Sequence, residues 1–135
     1  PNIAKIYDGG VTEEKQPFFV MELVQGIPVT EYCNAWRLSL RQRVELMISI
    51  CRGVQHAHQK GIIHRDLKPN NILVSEVDRT AIPKIIDFGI AKAVKKSLSQ
   101  STQKDLEEVV GTPAYMSPEQ TDPEAAGVDT RSDIY

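Results

Sequence analysis

Four polar residues near the middle of the chain carry the side chains that phosphoryl transfer needs. This reaction depends mainly on positioning the attacking and leaving oxygens and on neutralising charge with metal ions and cationic side chains. The carboxylate of Asp66 can orient an attacking hydroxyl, and the ammonium of Lys68 can contact the transferred phosphate. The amide of Asn71 and the carboxylate of Asp87 offer the oxygen ligands that Mg²⁺ prefers.

These residues stand in three motifs whose order and spacing resemble those of protein kinases. The motifs are HRDLKPNN at residues 64–71, IIDFG at 85–89 and GTPAYMSPEQ at 111–120. Each motif alone is a weak signal, since such residues also occur in ordinary loops and turns. In this order the three are specific, and DFGIAKA with GTPAYMSPEQ is most similar to the eukaryotic-like serine/threonine kinases of bacteria.

The resemblance implies a role for each matching residue. Asp66 would be the catalytic base, and Asn71 and Asp87 would hold Mg²⁺, or Mn²⁺ in its place. Lys68 is typical of serine/threonine kinases, and Thr112 agrees because its hydroxyl would contact Asp66 and Lys68. The implied catalytic set is therefore Asp66, Lys68, Asn71 and Thr112.

Four further residues match positions that support the site in this family. His64 and Phe88 would belong to the hydrophobic stack that connects the two lobes. Glu119, in SPE rather than APE, would close the activation segment. Asp133, in RSDIY, would hold the backbone of the catalytic loop from the start of the family's helix F.

Two apolar segments near the start of the chain predict strands. Residues 2–8 favour a strand that ends at Gly9-Gly10, and residues 17–23 lack strict alternation, which predicts a strand buried on both faces. The polar residues 12–16 would form the loop between them. By resemblance these are strands four and five of the small lobe.

The resemblance also implies where ATP would bind. Met21 would be the gatekeeper, and the hinge would run over residues 22–28. The backbone carbonyl of Glu22 and the backbone amide and carbonyl of Val24 would face the adenine, with Leu73 as its floor. The implied ATP-binding set is completed by Lys68, Asn71 and Asp87.

A long helix is predicted over residues 40–59, resembling the family's helix E. Ser39 and Gln42 form a capping box, and Gly61 ends the helix. Spacings of three and four residues predict one apolar stripe. Its members are Val44, Met47, Ile48, Cys51, Val54 and His58.

Neither the cysteines nor the paired histidines of the chain predict a metal site. Cys33 and Cys51 lack ligand spacing, and the place of Cys51 in the stripe predicts a buried, reduced thiol. His56 and His58 would point to different sides of the helix and have no third ligand. One packed and one solvated histidine are expected instead.

Two apolar segments after the catalytic loop predict a two-stranded ribbon. Residues 72–74 and 82–86 would pair across a polar turn at residues 75–80. This pairing would bring Asn71 and Asp87 to the same end of the ribbon, as two ligands of one metal require.

Residues 92–108 differ from the rest because they are polar and rich in hydroxyl groups. In the family, an anion in this activation segment pairs with the arginine of HRD, here Arg65. A phosphate added by another copy of the kinase is the favoured anion, and fixed carboxylates are the alternative. The acceptors would be Ser97, Ser99, Ser101 or Thr102, and the carboxylates Glu107 and Glu108.

The fold implied by the resemblance is the two-lobed α+β fold of protein kinases. Residues 1–25 would end the small lobe, and residues 26–135 would supply helices D and E, the catalytic loop, the activation segment and the start of helix F. Since no Gly-rich loop or upstream lysine is present, the sequence predicts a fragment without activity of its own.

The predicted function is phosphorylation of protein serine or threonine residues with ATP, in the cytoplasm. The formal charge of −2 gives no basic field for nucleic acid, and no apolar run approaches the roughly 20 residues of a membrane span. Two alternatives are a pseudokinase that binds ATP as a scaffold and a small-molecule phosphotransferase of the kinase-like superfamily.

Overall fold

Strands come first in the chain, and a long helix separates them from a second group of strands. The structure is a computed structural model that describes residues 2–88, 113–121 and 127–135. Two compact units are present: Pro1–Gly53 with Pro69–Ile86, and Val54–Lys68 with Asp87–Tyr135. The strands are β1 (Ile6–Val11), β2 (Pro17–Met21), β3 (Ile27–Pro28), β4 (Ile72–Val77) and β5 (Thr80–Ile85). The helices are α1 (Val29–Ala35), α2 (Leu40–His58) and a short helix at Pro118–Thr121. Turns of 3₁₀ helix span Pro69–Asn71, Pro113–Tyr115 and Thr130–Asp133.

Strands β1 and β2 form an antiparallel hairpin whose first strand differs from the prediction. It begins at Ile6 and runs through both glycines, which were expected to end it. Gly9 pairs with Phe19 and Gly10 with Phe18. A Cβ atom on Gly10 would lie 2.9 Å from the Phe18 ring, so the glycines leave room for cross-strand phenyl rings.

The prediction that the second strand is buried on both faces is wrong. Four of the five residues of β2 are exposed. Within the part of the chain that the structure describes, β1 and β2 pair only with each other, and a two-stranded ribbon cannot cover its own faces. The predicted loop over residues 12–16 is present and is closed by a bond from the Thr12 N–H to the Gln16 carbonyl.

Strands β3, β4 and β5 form an antiparallel sheet with β4 in the centre. The predicted ribbon is therefore present, but its strands are longer and its turn is shorter. The turn is only Asp78-Arg79, with φ values of 49° and 62°, which suit a two-residue hairpin turn. The predicted turn was too long because polar residues at its edges pair within the ladder.

The core of the first unit lies between α1, α2 and the sheet. Tyr32 and Cys33 of α1 pack with Leu46 of α2 and Val74 of β4. The guanidinium of Arg43 donates to the Cys33 carbonyl at 3.1 Å, which satisfies a carbonyl near the end of α1. This packing connects the sheet to the helices that follow the hinge.

Helix α2 confirms the predicted element but corrects its buried face. The capping box is present, since Gln42 Oε1 accepts from the Ser39 N–H and hydroxyl at 2.9 and 2.8 Å. Of the predicted stripe, Val54 is buried, whereas Val44, Met47, Ile48 and Cys51 are exposed. Apolar residues lie on two sides of this helix, and the spacing of apolar residues predicted the side that is mostly exposed as the buried one. The buried side consists of Leu46, Ile50, Gly53, Val54 and Ala57.

Both cysteines are free thiols. Cys51, which was predicted to be buried, is exposed, and Cys33 is buried. Across the described ranges, no helix has both the length and the apolar character to cross a membrane.

Candidate active site

The carboxylate of Asp133 holds the backbone just before Asp66. Its two oxygens accept from the N–H groups of His64 and Arg65, both at 2.8 Å. Its Oδ2 also lies 2.7 Å from Nε2 of His58, which must donate because an ionised carboxylate only accepts. The contact predicted for Asp133 is therefore present, and His58 is the packed histidine of the pair while His56 is exposed.

The peptide held in this way has an uncommon conformation. Arg65 has a φ of 69°, a left-handed value that a non-glycine residue adopts only when its surroundings impose it. The next N–H, that of Asp66, donates to Nδ1 of His64 at 3.2 Å. The His64 ring is fully buried and lies 4.6 Å from the Phe88 ring, so the predicted contact of these two residues is present.

Asp66 and Lys68 lie side by side in the loop that this backbone begins. The Lys68 ammonium is 2.8 Å from a carboxylate oxygen of Asp66, and both side chains are partly exposed. The structure thus places one anion and one cation at an accessible position, as transfer of a charged phosphoryl group requires.

Gln120 also contacts this loop, although sequence reasoning did not identify it. Its amide nitrogen donates to the Arg65 carbonyl at 2.6 Å. Its amide oxygen accepts from the N–H and the hydroxyl of Ser117 at 3.1 and 3.2 Å. The available signal was the spacing S-x-x-Q, which also forms the capping box of α2.

Glu119 forms a second contact in the same unit, with Ser132. Its carboxylate accepts a hydrogen bond from the Ser132 hydroxyl. This bond, together with a backbone N–H, lowers the pKa of Glu119 below its usual value. Asp129 caps the turn that contains Ser132 by accepting from the Arg131 N–H at 2.8 Å.

Asn71 is the last residue of the 3₁₀ turn that precedes β4, and Asp87, the second predicted metal ligand, follows β5 by two residues. The Ile86 N–H donates to the Asn71 carbonyl at 2.9 Å, and Asp87 is the next residue. Asp87 has a φ of 57°, so the chain leaves the sheet in a left-handed conformation. Carboxylate and amide oxygens are hard donors of the kind that Mg²⁺ binds, and the metal roles of Asp87 and Asn71 stay predictions.

In the described ranges, no group of three or more His, Cys, Asp or Glu residues could hold an ion. Mg²⁺ does not need such a cluster, because it usually keeps several waters and binds substrate phosphates beside one or two carboxylates.

The residues predicted to bind adenine lie in the first unit. Met21 ends β2, and Glu22 and Val24 follow it in the irregular segment before β3. Leu73 lies in β4 opposite Pro28. The Glu22 side chain is occupied, because it accepts from the Lys5 N–H and pairs with the Lys84 ammonium. Its backbone carbonyl is the group that the hinge prediction uses.

Several predicted residues lie outside the ranges that the structure describes, and their roles stay predictions. They are Gly89, the whole segment 92–108 with its hydroxyl groups and glutamates, Gly111 and Thr112.

The loop geometry agrees with comparison of the whole chain with known proteins. The family model described as the protein kinase domain matches residues 1–135. This chain belongs to the protein kinase family. A probable serine/threonine-protein kinase PknB of Bifidobacterium longum is 40% identical over 144 residues, covering all of this chain and 20% of that protein. PknB of Mycobacterium tuberculosis is 37% identical over 139 residues, covering all of this chain and 21% of that protein.

Solved structures give the same family. The crystal structure of the Mycobacterium tuberculosis PknI kinase domain, a double mutant, matches with a TM-score of 0.66 and 27% identity, over 98% of this chain and 44% of that one. The predicted kinase fold and the resemblance to bacterial serine/threonine kinases are therefore confirmed. The chain spans about a fifth of the length of the curated relatives that it matches.

Proposed function

We propose that this chain is part of a protein serine/threonine kinase, which transfers the γ-phosphoryl group of ATP to Ser or Thr hydroxyls of proteins. The observation that supports this most strongly is the way in which Asp66 is held. Asp133 binds the two preceding N–H groups, and His64 binds the N–H of Asp66 itself. A carboxylate whose own N–H and two preceding N–H groups are all hydrogen-bonded suits a group that must orient a reacting hydroxyl.

In this proposal Asp66 and Lys68 have different roles in phosphoryl transfer. The Asp66 carboxylate accepts a hydrogen bond from the substrate hydroxyl and takes up its proton as the oxygen attacks the γ-phosphorus and the bond from this phosphorus to the bridging oxygen of ADP breaks. The ammonium of Lys68, 2.8 Å from that carboxylate, contacts the phosphoryl oxygens and offsets their charge. In this proposal Thr112 contacts both residues and shapes the acceptor site.

The nucleotide is ATP with Mg²⁺ in this proposal. Asn71 and Asp87 would hold the ion, which when bound neutralises charge on the phosphates. The adenine would meet the backbone of Glu22 and Val24, with Met21 behind it and Leu73 below it. Their order in the chain, with the hinge directly after β2, supports this assignment.

The partners would be proteins with accessible serine or threonine residues, in the cytoplasm where ATP is available. A second copy of the kinase would add phosphate to the hydroxyl groups of residues 97–102. The charge of Arg65, in the residue before the proposed base, supports a need for such an anion. The carboxylates of Glu107 and Glu108 are the alternative anion.

Two substitutions of aspartate by asparagine test this function in the intact natural protein. Asp66→Asn should lower kcat for phosphorylation of a protein substrate about 100-fold or more, since general-base catalysis contributes about that much, with ATP affinity little changed. Asp87→Asn should instead weaken binding of Mg²⁺-ATP by about tenfold or more. Stopped assays with labelled ATP and calorimetry with Mg²⁺-ATP measure the two effects.

Asp78→Asn is the matched control, because Asp78 lies in the β4–β5 turn and asparagine tolerates its φ of 49°. Full phosphotransfer by the Asp66 variant would show that the base is assigned wrongly. ATP binding by the wild-type protein without transfer would favour a pseudokinase, and transfer only to small molecules would favour a small-molecule phosphotransferase.

A further inference from the structure

The side chain of Gln120 connects two segments of the second unit that are 55 residues apart. One is the catalytic loop, at the Arg65 carbonyl, and the other is the SPEQ segment, at Ser117. The bond to the carbonyl is short, 2.6 Å, and Ser117 is almost fully buried. This contact lies at the peptide that joins Arg65 to Asp66.

The orientation of the Gln120 amide follows from its partners. The Ser117 N–H can only donate, so the Gln120 oxygen must face it. The Arg65 carbonyl can only accept, so the Gln120 nitrogen must face it. A side chain at this position therefore needs an acceptor and a donor at its tip at the same time. Glutamine supplies both, ionised glutamate supplies only acceptors, and methionine supplies no strong donor or acceptor.

The residue whose carbonyl Gln120 contacts, Arg65, also has the left-handed conformation. Asp133 binds the N–H groups of His64 and Arg65, and the His64 ring binds the N–H of Asp66. Gln120 adds the bond to the carbonyl of this same peptide. Because this peptide is bonded to the Cα atom of Asp66, its rotation would move the Asp66 side chain, and the φ of 69° at Arg65 shows that the surroundings hold the backbone here.

We propose that Gln120 is a positioning residue for Asp66: it fixes the Arg65–Asp66 peptide and so couples the SPEQ segment to the orientation of the proposed base. This inference rests on the proposed kinase function. Gln120 touches no reacting group and acts through the Arg65 carbonyl. Its loss should therefore lower kcat while the KM for ATP changes little.

The test compares Gln120→Glu and Gln120→Met in the intact natural protein with Gln42→Glu as the matched control. Gln42 forms the same capping box with Ser39 at the exposed start of α2, so its substitution measures the loss of a capping amide alone. Both Gln120 variants should lower kcat about tenfold near neutral pH, the effect expected from loss of one well-placed hydrogen bond. The control should keep its kcat.

The pH dependence separates positioning from a structural defect. A protonated glutamic acid can accept from Ser117 and donate to Arg65, as glutamine does. The kcat of Gln120→Glu relative to wild type should therefore rise as the pH falls, while the same ratio for Gln120→Met stays constant. Taking the ratio to wild type at each pH removes the titration of groups common to both proteins, among them Asp66, Glu119 and Asp133.

Hydrogen exchange gives a readout that does not depend on activity. In both Gln120 variants the peptide that contains residues 64–68 should exchange faster than in wild type and in the Gln42 variant. If the wild-type protein transfers no phosphate, the proposed function fails, and exchange alone still decides whether Gln120 holds the loop.

Three outcomes would overturn the inference. The first is wild-type kcat and exchange in both Gln120 variants. The second is a loss of activity in Gln120→Glu that lower pH does not reduce. The third is global unfolding of both variants, which would make Gln120 a residue needed for folding rather than for positioning the base.

Discussion

At the scale of single residues, the buried carboxylate of Asp133 holds the backbone just before Asp66. Asp133→Asn replaces one of its two acceptor oxygens with an NH₂ group that faces a donor. A buried N–H left without a partner costs about 1–3 kcal/mol. We expect urea unfolding of the intact protein to show a loss of this size, with faster hydrogen exchange at His64 and Arg65.

Asp129→Asn is the control for this prediction. Asp129 caps the same 3₁₀ turn, but its side chain is about half exposed, and asparagine is as good a cap as aspartate. Its substitution should leave the free energy of unfolding nearly unchanged. An equal effect of both substitutions would mean that the turn, and not its contact with the loop, is what Asp133 stabilises.

Because the pKa of Glu22 is lowered in the folded protein, we expect the stability of the fold to depend on pH. The hydrogen bond from Lys84, and then that from the Lys5 N–H, holds the pKa of Glu22 below its ordinary value of 4.5. A carboxyl whose pKa is lower in the folded state stabilises the fold above 4.5, and this contribution disappears as the pH falls through the folded-state pKa.

The stability difference between wild type and Glu22→Gln should accordingly be largest near neutral pH and shrink in acid. Chemical denaturation at a series of pH values measures it. Lys84→Met removes the hydrogen bond that lowers the Glu22 pKa most, so the stability difference between wild type and this variant should also shrink in acid. A difference that does not depend on pH would show that the ion pair contributes nothing through the ionisation of Glu22.

At the scale of elements, two glycines differ in the atoms that a side chain at their position would contact. A Cβ atom on Gly26 would lie 2.7 Å from the backbone carbonyl oxygen of Val74, which cannot move without disturbing β4. A Cβ atom on Gly10 would meet only the outer end of the exposed Phe18 ring. We predict that Gly26→Ala lowers the free energy of unfolding by about 1–3 kcal/mol.

Gly10→Ala is the companion variant, and we expect it to be nearly neutral because the Phe18 ring can rotate away. Thermal unfolding of both variants makes the comparison. If Gly26→Ala were also neutral, the backbone just before β3 would not be held against β4 as closely as the structure describes.

The helices and loops also show which sequence signals were sufficient to predict structure. The capping box of Ser39 and Gln42 located the start of α2 because it depends on local hydrogen bonds. The buried face of that helix was not located, because apolar residues on two sides compete and only tertiary packing selects Leu46 over Met47. Motif order indicated the Asp133 contact, whereas Gln120 stayed hidden because its amide acts on a carbonyl distant in sequence.

At the scale of the whole molecule, many large apolar side chains of the described residues are exposed. Leu23, Leu40, Met47 and the ring of Tyr7 are more than half exposed. We expect residues 1–135 expressed alone to show no ATP-dependent phosphorylation and to unfold with little cooperativity. Urea curves followed by fluorescence and by circular dichroism should then fail to coincide. A single shared transition, or measurable turnover of Mg²⁺-ATP, would contradict this expectation.

The position of Asp133 in the chain also sets an order of events during biosynthesis. It follows Arg65 by 68 residues, so the ribosome makes the loop long before it makes the group that binds the loop. At about 5–20 residues per second, this delay is roughly 3 to 14 s. Until then the N–H groups of His64 and Arg65 lack the carboxylate that accepts their hydrogen bonds in the folded protein. Any nascent chain that stops before Asp133 therefore carries the proposed base on a backbone that this carboxylate has not yet shaped.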